Sequence, residues 1–457
     1  MTAQPDAPSL TAPTLVKKPR IQTVEFWRFA LTVMVAVYHF EIFFTQRTVI
    51  PAGSGAVEFF FILAGFTMAM SADSRARRRV SGAPVTVKEA HAEALSFVVK
   101  KLKVIVPIVL ICVILACFVY PMSVTPAVEA PAQSGGFGAY DPWGGFGGGY
   151  GGYGGFGGFG GGYGYVAPPA PVPATTGDRV SAFMNSEWEL LLMVGTPFGF
   201  DNGAAPNVPL WFLTALLLVG YLYTFAITIK RDIVVFLAPA IGILFYIFFT
   251  LNSTMLIDHA AAMGFFNAGT VHAIAEMSFG IALYTLFTHI KSKNLGVVWQ
   301  VILSFIEIYA IYRLFSLTFG DPVGFGNFRK IPYIMAIIFF GFYNSTWIAK
   351  ILNRKIFGFL GELSLIMYIC HYNLIPVFLK IAERYTGKGW GLFTYLFSGS
   401  NINNGIVTGS ITLKFALSYV VMVMVVSLAI KFVIFAIGAG YKAGKRALES
   451  DKQPETP

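Results

Sequence analysis

Long apolar runs separated by short polar segments make up most of the chain. About 20 helical residues cross a bilayer core about 30 Å thick, and runs of this length occur at about ten places. The runs show no strict alternation, and lipid does not tolerate unpaired backbone groups, so helices are predicted rather than a β-barrel. The predicted spans lie near residues 22–44, 55–71, 96–120, 208–228, 233–252, 268–289, 296–316, 331–349, 357–380 and 411–438.

The predicted fold is therefore an all-α integral membrane protein, a bundle of about ten transmembrane helices. The first three helices fall within residues 21–120 and the other seven within residues 208–438. Residues 1–20 and 439–457 are predicted to be cytoplasmic tails, and residues 121–207 a long external loop.

The predicted external loop has an unusual composition. Its residues 128–177 are rich in Gly, Tyr and Phe and have Pro-rich flanks. Such low-complexity sequence cannot bury a core, which indicates a flexible segment. We favour a spacer of drifting composition; the alternative is a tether whose aromatic rings stack on sugars.

Composition and charge agree with a membrane protein. Apolar residues make up 56% of the chain and charged residues only 12%. Since Lys and Arg are enriched in cytoplasmic loops, their placement puts both termini inside and explains most of the net charge of +10 without nucleic-acid binding. The supporting residues are Lys17, Lys18, Arg20, Arg75, Arg77, Arg78, Arg79, Lys230, Arg231, Lys291, Lys293, Lys350, Arg354, Lys355, Lys442, Lys445 and Arg446, whereas Arg329, Lys330, Lys380, Arg384 and Lys388 fall in loops predicted to be external.

The first predicted span carries the densest set of ionisable residues, namely Glu25, Arg28, His39 and Glu41. An ionisable residue inside a membrane is costly and usually has a function or a partner. The step of 11 residues from Arg28 to His39 corresponds to about 16 Å of rise and to about 20° beyond three full turns. Arg28 and His39 therefore share one face of the helix.

This shared face suits a reaction that starts at the cytoplasmic side. Arg28 near the interface can hold phosphates or polarise a carbonyl, and His39, deeper in the bilayer, can take a proton from an attacking hydroxyl. The alternatives are a snorkelling interfacial arginine and a hydrogen-bonded packing histidine. Glu41 points away from this face, so Glu25 or a charge on another helix is the better candidate to orient His39.

Several segments, in order, resemble the acyltransferase 3 family of membrane-bound acyltransferases, of the bacterial O-acetyltransferase type. The family's first helix carries Arg, ten residues, then His, as Arg28 and His39 do. The second span is similar to its acidic-Phe-Phe-Phe-x-x-Ser-Gly-Phe motif, although Ala64 replaces the serine. The residues that match this second motif are Glu58, Phe59, Phe60, Phe61, Gly65 and Phe66.

Three later segments extend the resemblance to residue 438. Lys100 and Lys103 precede Pro107 where the family has a pair of arginines, and Trp211 lies in a Leu-Trp-Phe-Leu segment. Lysine keeps the charge of arginine but lacks its bidentate fork. The ninth span resembles the family's Leu-Gly-x-x-Ser-x-x-x-Tyr-x-x-His ending through Leu360, Gly361, Ser364, Tyr368 and His371.

The resemblance implies a multi-pass enzyme of the bacterial plasma membrane with no permanently bound cofactor, and no Cys/His spacing in the sequence suggests a metal site. Its donor would be cytoplasmic acyl-CoA, expected to be acetyl-CoA, held by Arg28, Lys100 and Lys103. Its acceptor would be a hydroxyl of an extracytoplasmic glycan, expected to be an exopolysaccharide, and His39 would be the base, with Arg28 as the second catalytic residue. Candidate partners are the lipid bilayer and proteins of polysaccharide biosynthesis. The residues expected to line the substrate are Glu25, Glu58, Trp211, Ser364, Tyr368 and His371.

Three alternatives concern the chemistry and the function. Ser364 and His371 share a helix face, but a rise of about 10 Å prevents a direct hydrogen bond, so both are interpreted as packing and lining residues. A transporter or flippase also has many spans with charges at mid-depth, yet the sequence shows no inverted repeat. A structural subunit of polysaccharide export is a further alternative, which the aromatic loop favours.

Overall fold

The computed structural model describes residues 21–41, 49–50, 53–77, 85–119, 177, 209–251, 262–263, 266–291, 296–320, 326–386, 401–403, 406–408 and 412–450. Apart from residue 177, the predicted external loop at 121–207 lies outside the described residues, as does the predicted N-terminal tail. The predicted C-terminal tail is described only to residue 450.

Ten α-helices form the described part of the chain, and a 3₁₀ turn at Gly53–Gly55 precedes the second. The first five are α1 (Gln22–Glu41), α2 (Ala56–Ala76), α3 (Val87–Val119), α4 (Leu210–Leu251) and α5 (Ala268–Lys291). The others are α6 (Val297–Gly320), α7 (Gly326–Tyr343), α8 (Trp347–Leu352), α9 (Lys355–Thr386) and α10 (Leu413–Ser450).

Helix α4 consists of two segments that meet at Lys230, whose φ of −141° and ψ of 69° are not helical. Tyr223 in the first segment donates a hydrogen bond to the carbonyl oxygen of Ile274 (3.1 Å). Tyr246 in the second segment donates to Glu276 Oε1 (2.9 Å). Because both contacts fall within one turn of α5, the two segments run side by side and the chain reverses near Lys230, between the predicted spans 208–228 and 233–252.

Two short antiparallel strand pairs lie in the connections between helices. Strands β1 (Ala262–Met263) and β2 (Phe266–Asn267) precede α5, and β3 (Asn401–Asn403) and β4 (Ile406–Thr408) precede α10. The bundle itself is helical.

Within the part of the chain that the structure describes, six helical stretches are long and apolar enough to cross a membrane, by length and composition. They are Ala56–Ala76, Leu210–Phe249, Ala268–Lys291, Val297–Gly320, Lys355–Ala382 and Leu413–Tyr441, and the second contains the reversal at Lys230. Helix α1 is not among them, since Glu25, Arg28 and His39 make it less apolar. The chain is thus a multi-pass membrane protein, while the count of about ten transmembrane helices stays a prediction.

Helices α2 and α5 approach each other through two glycines. A Cβ atom on Gly65 would collide with the carbonyl oxygen of Met277, and one on Gly280 would collide with the carbonyl oxygen of Ile62. Small residues allow membrane helices to pack backbone against backbone, where dispersion contacts are densest. The α2–α5 contact therefore depends on the absence of side chains at both positions.

The end of the bundle where α2 finishes carries a charged network, here called the basic end. Asp73 accepts hydrogen bonds from Arg77 (2.9 Å) and Tyr284 (3.1 Å) and pairs with Arg231 (2.9 Å). Arg75 pairs with a glutamate of α3 at 3.0 Å. These contacts join α2 to α3, to the reversal in α4 and to α5.

Replacement of Gly65 by Ala should destabilise the protein by about 1–3 kcal/mol, because the added methyl group overpacks a backbone contact. The matched control is Gly438→Ala in α10, where a Cβ would meet nothing within 4 Å and where alanine should be neutral or stabilising by about 0.5–1 kcal/mol. Thermal unfolding in detergent measures both. Equal apparent Tm values for the two variants would contradict the close α2–α5 contact.

Candidate active site

Helices α1 and α9 lie against each other in parallel, with glycines at the contact. Gly358 lies against the side chain of Gln22, and Gly361 lies against Glu25 so closely that a Cβ there would collide with the carboxylate. The two contacts are therefore three positions apart on each helix. Further along the same pair of helices, His39 of α1 faces His371 of α9.

The two histidines are joined by a hydrogen bond. His39 Nδ1 lies 2.9 Å from His371 Nε2, and the two rings are stacked with centroids 5.1 Å apart and an interplanar angle of 27°. His371 is fully buried, whereas His39 is partly exposed. The pair therefore has one enclosed member and one member at an accessible position.

The backbone of α9 determines which nitrogen of each ring carries a proton. His371 Nδ1 lies 2.8 Å from the carbonyl oxygen of Tyr368 and 3.2 Å from that of Met367. A carbonyl oxygen can only accept, so Nδ1 of His371 carries the proton and its Nε2 is the acceptor. His39 Nδ1 must then be the donor, and the lone pair of neutral His39 is on Nε2.

Aromatic side chains hold His371 in place. Tyr419 of α10 donates a hydrogen bond to the carbonyl oxygen of His371 (2.6 Å), and its ring stacks on Phe40 with centroids 4.4 Å apart. Tyr368 donates to the carbonyl oxygen of Pro209 (2.9 Å). These groups are buried, so the ring of His371 has little freedom to turn.

Arg28 lies on α1 toward the basic end. It donates a hydrogen bond to Glu25 Oε2 at 2.8 Å, and the two side chains are 28% and 12% exposed. Lys101 of α3 is close enough to Arg28 for mutual electrostatic repulsion. Two cations that repel each other at a partly exposed position favour an anion between them.

The other predicted donor-binding residues are on the same helix as Lys101. Lys100, Lys101 and Lys103 are all exposed on α3. Lys101, which lies within electrostatic range of Arg28, is not one of the lysines that the family motif identified, because the resemblance compares positions along the chain and not around the helix.

The predicted substrate-lining residues occupy different environments. Ser364 is buried and donates to the carbonyl oxygen of Gly361 in its own helix (2.8 Å). Trp211 is buried against Phe61, with ring centroids 6.0 Å apart. Glu58 is fully buried on α2. Glu25 is engaged with Arg28.

Tyr368 is the predicted lining residue nearest to the pair. Its ring centroid lies 5.9 Å from that of His371 and 5.4 Å from that of Phe212. Phe60 contacts it from α2 at 6.2 Å. On the other side, the ring of Tyr372 meets His39 edge to face at 5.7 Å. The histidine pair is thus bordered by aromatic rings from several helices.

Glu41 has a role that the sequence did not indicate. Its carboxylate accepts hydrogen bonds from the backbone N–H groups of Val49 (2.6 Å) and Ile50 (2.7 Å), and the side chain is fully buried. It therefore ties the segment after α1 to the end of that helix. His371 lies at hydrogen-bond distance from His39 Nδ1 and is a group that orients the His39 ring.

Among the described residues, no group of three or more His, Cys, Asp and Glu side chains is placed to hold a metal ion. The site consists of a histidine pair and, about 16 Å along α1 by helical rise, a pair of cations. These features can support proton transfer and anion binding.

A helical membrane bundle with a partly buried histidine pair is the class of protein that the fold and site define. Residues 21–436 match the family model of acyltransferase 3, described as an acyltransferase domain. The chain belongs to this family, which confirms the resemblance found in its motifs, and it is therefore a membrane acyltransferase. No curated protein and no solved structure matches the chain.

Replacement of Gly361 by Ala should lower acyl transfer by roughly 10-fold or more, because a displacement of about 1 Å in a positioned group has large effects on rate. The added methyl group would collide with the carboxylate, Cβ and Cα of Glu25, and it would therefore push α1 away from α9 and shift the arginine that Glu25 holds. Turnover by purified protein measures this effect. Gly438→Ala serves as the control, and wild-type turnover in Gly361→Ala would contradict the role of the close contact.

Proposed function

We propose that the protein transfers an acyl group, expected to be acetyl, from cytoplasmic acyl-CoA to a hydroxyl of an extracytoplasmic glycan, expected to be an exopolysaccharide. Membership of the acyltransferase 3 family supports acyl transfer. The observation that carries the proposed chemistry is the 2.9 Å hydrogen bond between His39 and His371.

His39 is the proposed general base. The acceptor hydroxyl donates to His39 Nε2, where the hydrogen-bond pattern of the pair puts the lone pair. When the base takes the proton, Nδ1 of His39 keeps its hydrogen bond to His371 Nε2, so no ring has to turn. His371 is a positioning residue that also stabilises the imidazolium, because its Nε2 accepts from the charged ring.

The proposed transfer balances without a further reactant. The hydroxyl oxygen attacks the thioester carbonyl carbon, a C–O bond forms, the C–S bond breaks, and the hydroxyl proton passes through His39 to the sulfur of CoA. A low-dielectric, water-poor site strengthens each polar contact during this step. Transient acylation of His39 would use the same two histidines and would leave label on the protein.

The basic end is the proposed entrance for the donor. Arg28 and Lys101 would bind phosphates of CoA, and the arm of the donor would extend along α1 toward His39. Placement of this end at the cytoplasm agrees with the enrichment of Lys and Arg in cytoplasmic segments, and it puts both termini inside a bacterial plasma membrane. The acceptor would then reach His39 from the opposite side.

Replacement of His39 by Ala should lower transfer from radiolabelled acetyl-CoA to added glycan by about 10²–10⁴-fold, because the general base is lost. Purified protein in liposomes provides the assay, scored for label on glycan and on the protein. His91→Ala is a matched control, since His91 lies at an exposed position of α3 and pairs with Tyr221.

A comparison at His371 separates positioning from packing. His371→Gln keeps an acceptor for His39 Nδ1 and should retain more activity than His371→Phe, which keeps the ring but loses the acceptor. The pH profile of turnover should shift in His371→Phe. Full turnover in His39→Ala would refute the proposed base, and equal activity of the two His371 variants would refute its orientation by His371.

Replacement of Lys101 by Ala should raise the KM for acetyl-CoA roughly 5-fold or more, the effect of losing a charge-assisted contact of about 1 kcal/mol. Lys100→Ala is the matched control on the next residue of α3 and should have a smaller effect. Initial rates at varied acetyl-CoA and salt concentrations measure this difference. A larger effect at Lys100 than at Lys101 would favour the donor contacts that the family motif predicts.

A further inference from the structure

A second group of ionisable residues is buried where α2, α4, α5 and α7 meet. We call Glu58, Tyr246, His272, Glu276 and Lys330 the buried carboxyl cluster. Each of these residues is at most 3% exposed. The proposed transfer mechanism uses none of them as an acid or a base. Ionisable groups so deeply buried in a membrane protein usually have a function.

Hydrogen bonds and charges connect the five residues. Tyr246 donates to Glu276 Oε1 (2.9 Å), and His272 Nδ1 lies 3.3 Å from the same oxygen. Glu58 interacts electrostatically with both Glu276 and Lys330. The cluster therefore links two carboxyl groups from facing helices with one lysine.

Three carboxyl oxygens in the cluster lack a hydrogen-bond donor among the described residues. They are both oxygens of Glu58 and Oε2 of Glu276. A buried carboxylate oxygen without a donor costs at least about 1–3 kcal/mol. A proton on one carboxyl group removes a charge and supplies a donor, and it needs no cavity.

The net charge of the cluster indicates how many protons are needed. Two ionised glutamates and one lysine give −1, and one added proton makes the described cluster neutral, the state that burial favours. His272 is a poor carrier for this proton. Its Nε2 is buried without a hydrogen-bond partner among the described residues, and its ring stacks on Phe249 at 3.9 Å.

The position of the cluster gives this proton a structural consequence. Glu58 on α2 and Glu276 on α5 lie within electrostatic range of each other, on the pair of helices whose backbones approach at Gly65 and Gly280. Two ionised carboxylates would repel each other across this contact. Phe60, two residues after Glu58, packs against Tyr368 beside His371.

We propose that Glu58 and Glu276 form a proton-binding site that holds one proton at neutral pH, while Lys330 balances the carboxylate that stays ionised. The proton allows α2 and α5 to remain in close contact beside the histidine pair. The site does not depend on the identity of the donor or the acceptor, so its test is independent of the proposed transfer reaction.

Infrared spectroscopy of the purified full-length protein in H₂O and D₂O tests the proposal directly. Wild-type protein at pH 7 should show the carbonyl stretch of a protonated carboxyl group, shifted in D₂O. Glu58→Gln and Glu276→Gln should each abolish this band, since a single remaining carboxylate is balanced by Lys330. Lys330→Met should make the band roughly twice as intense, because two uncompensated carboxyl groups both take up a proton.

Glu307→Gln is the matched control, because Glu307 is a buried carboxyl group of α6 outside the cluster. It identifies any band that belongs to Glu307 and should leave the cluster band in place. The proposal is overturned if wild-type protein lacks a band that depends on Glu58 and Glu276, or if either single variant keeps that band. A band of wild-type intensity in Lys330→Met would overturn the charge balance.

Discussion

The hydrogen bond from His371 Nδ1 to the carbonyl oxygen of Tyr368 is the constraint on which the arrangement of the active site depends. A carbonyl that only accepts determines the tautomer of His371, and His371 determines that of His39. The backbone of α9 thereby determines which ring nitrogen of His39, on α1, carries the proton. Because proton positions follow from fixed backbone groups, His39 can accept a proton without a rearrangement of its neighbours.

Each polar group that is buried in a membrane bundle needs a hydrogen-bond or charge partner inside the protein. The structure meets this requirement differently in different places. At the basic end, Asp73 accepts hydrogen bonds from Arg77 and Tyr284. At the end of α1, Glu41 accepts hydrogen bonds from two backbone N–H groups. In the histidine pair, each imidazole is the hydrogen-bond partner of the other. Glu58 differs, since a proton or its charge partners must replace missing hydrogen-bond donors.

The helical class, the family and a shared face for Arg28 and His39 could be predicted from the sequence, because each follows from local periodicity or from motifs in order. The pairing of His39 with His371 could not be predicted, because the two residues are 332 positions apart in the sequence. Helical period alone cannot show which face of α9 meets α1. The same limit applies on α3, where the sequence did not indicate that Lys101 lies within electrostatic range of Arg28.

The most direct test of the account is a cryo-EM structure with a non-hydrolysable thioether analogue of acetyl-CoA. The account predicts that phosphates of the analogue contact Arg28 and Lys101 and that its acyl end lies beside His39, with Nε2 facing the position of an incoming hydroxyl. Binding of the analogue with its acyl end remote from the histidine pair would contradict the central claim that His39 is the base of acyl transfer.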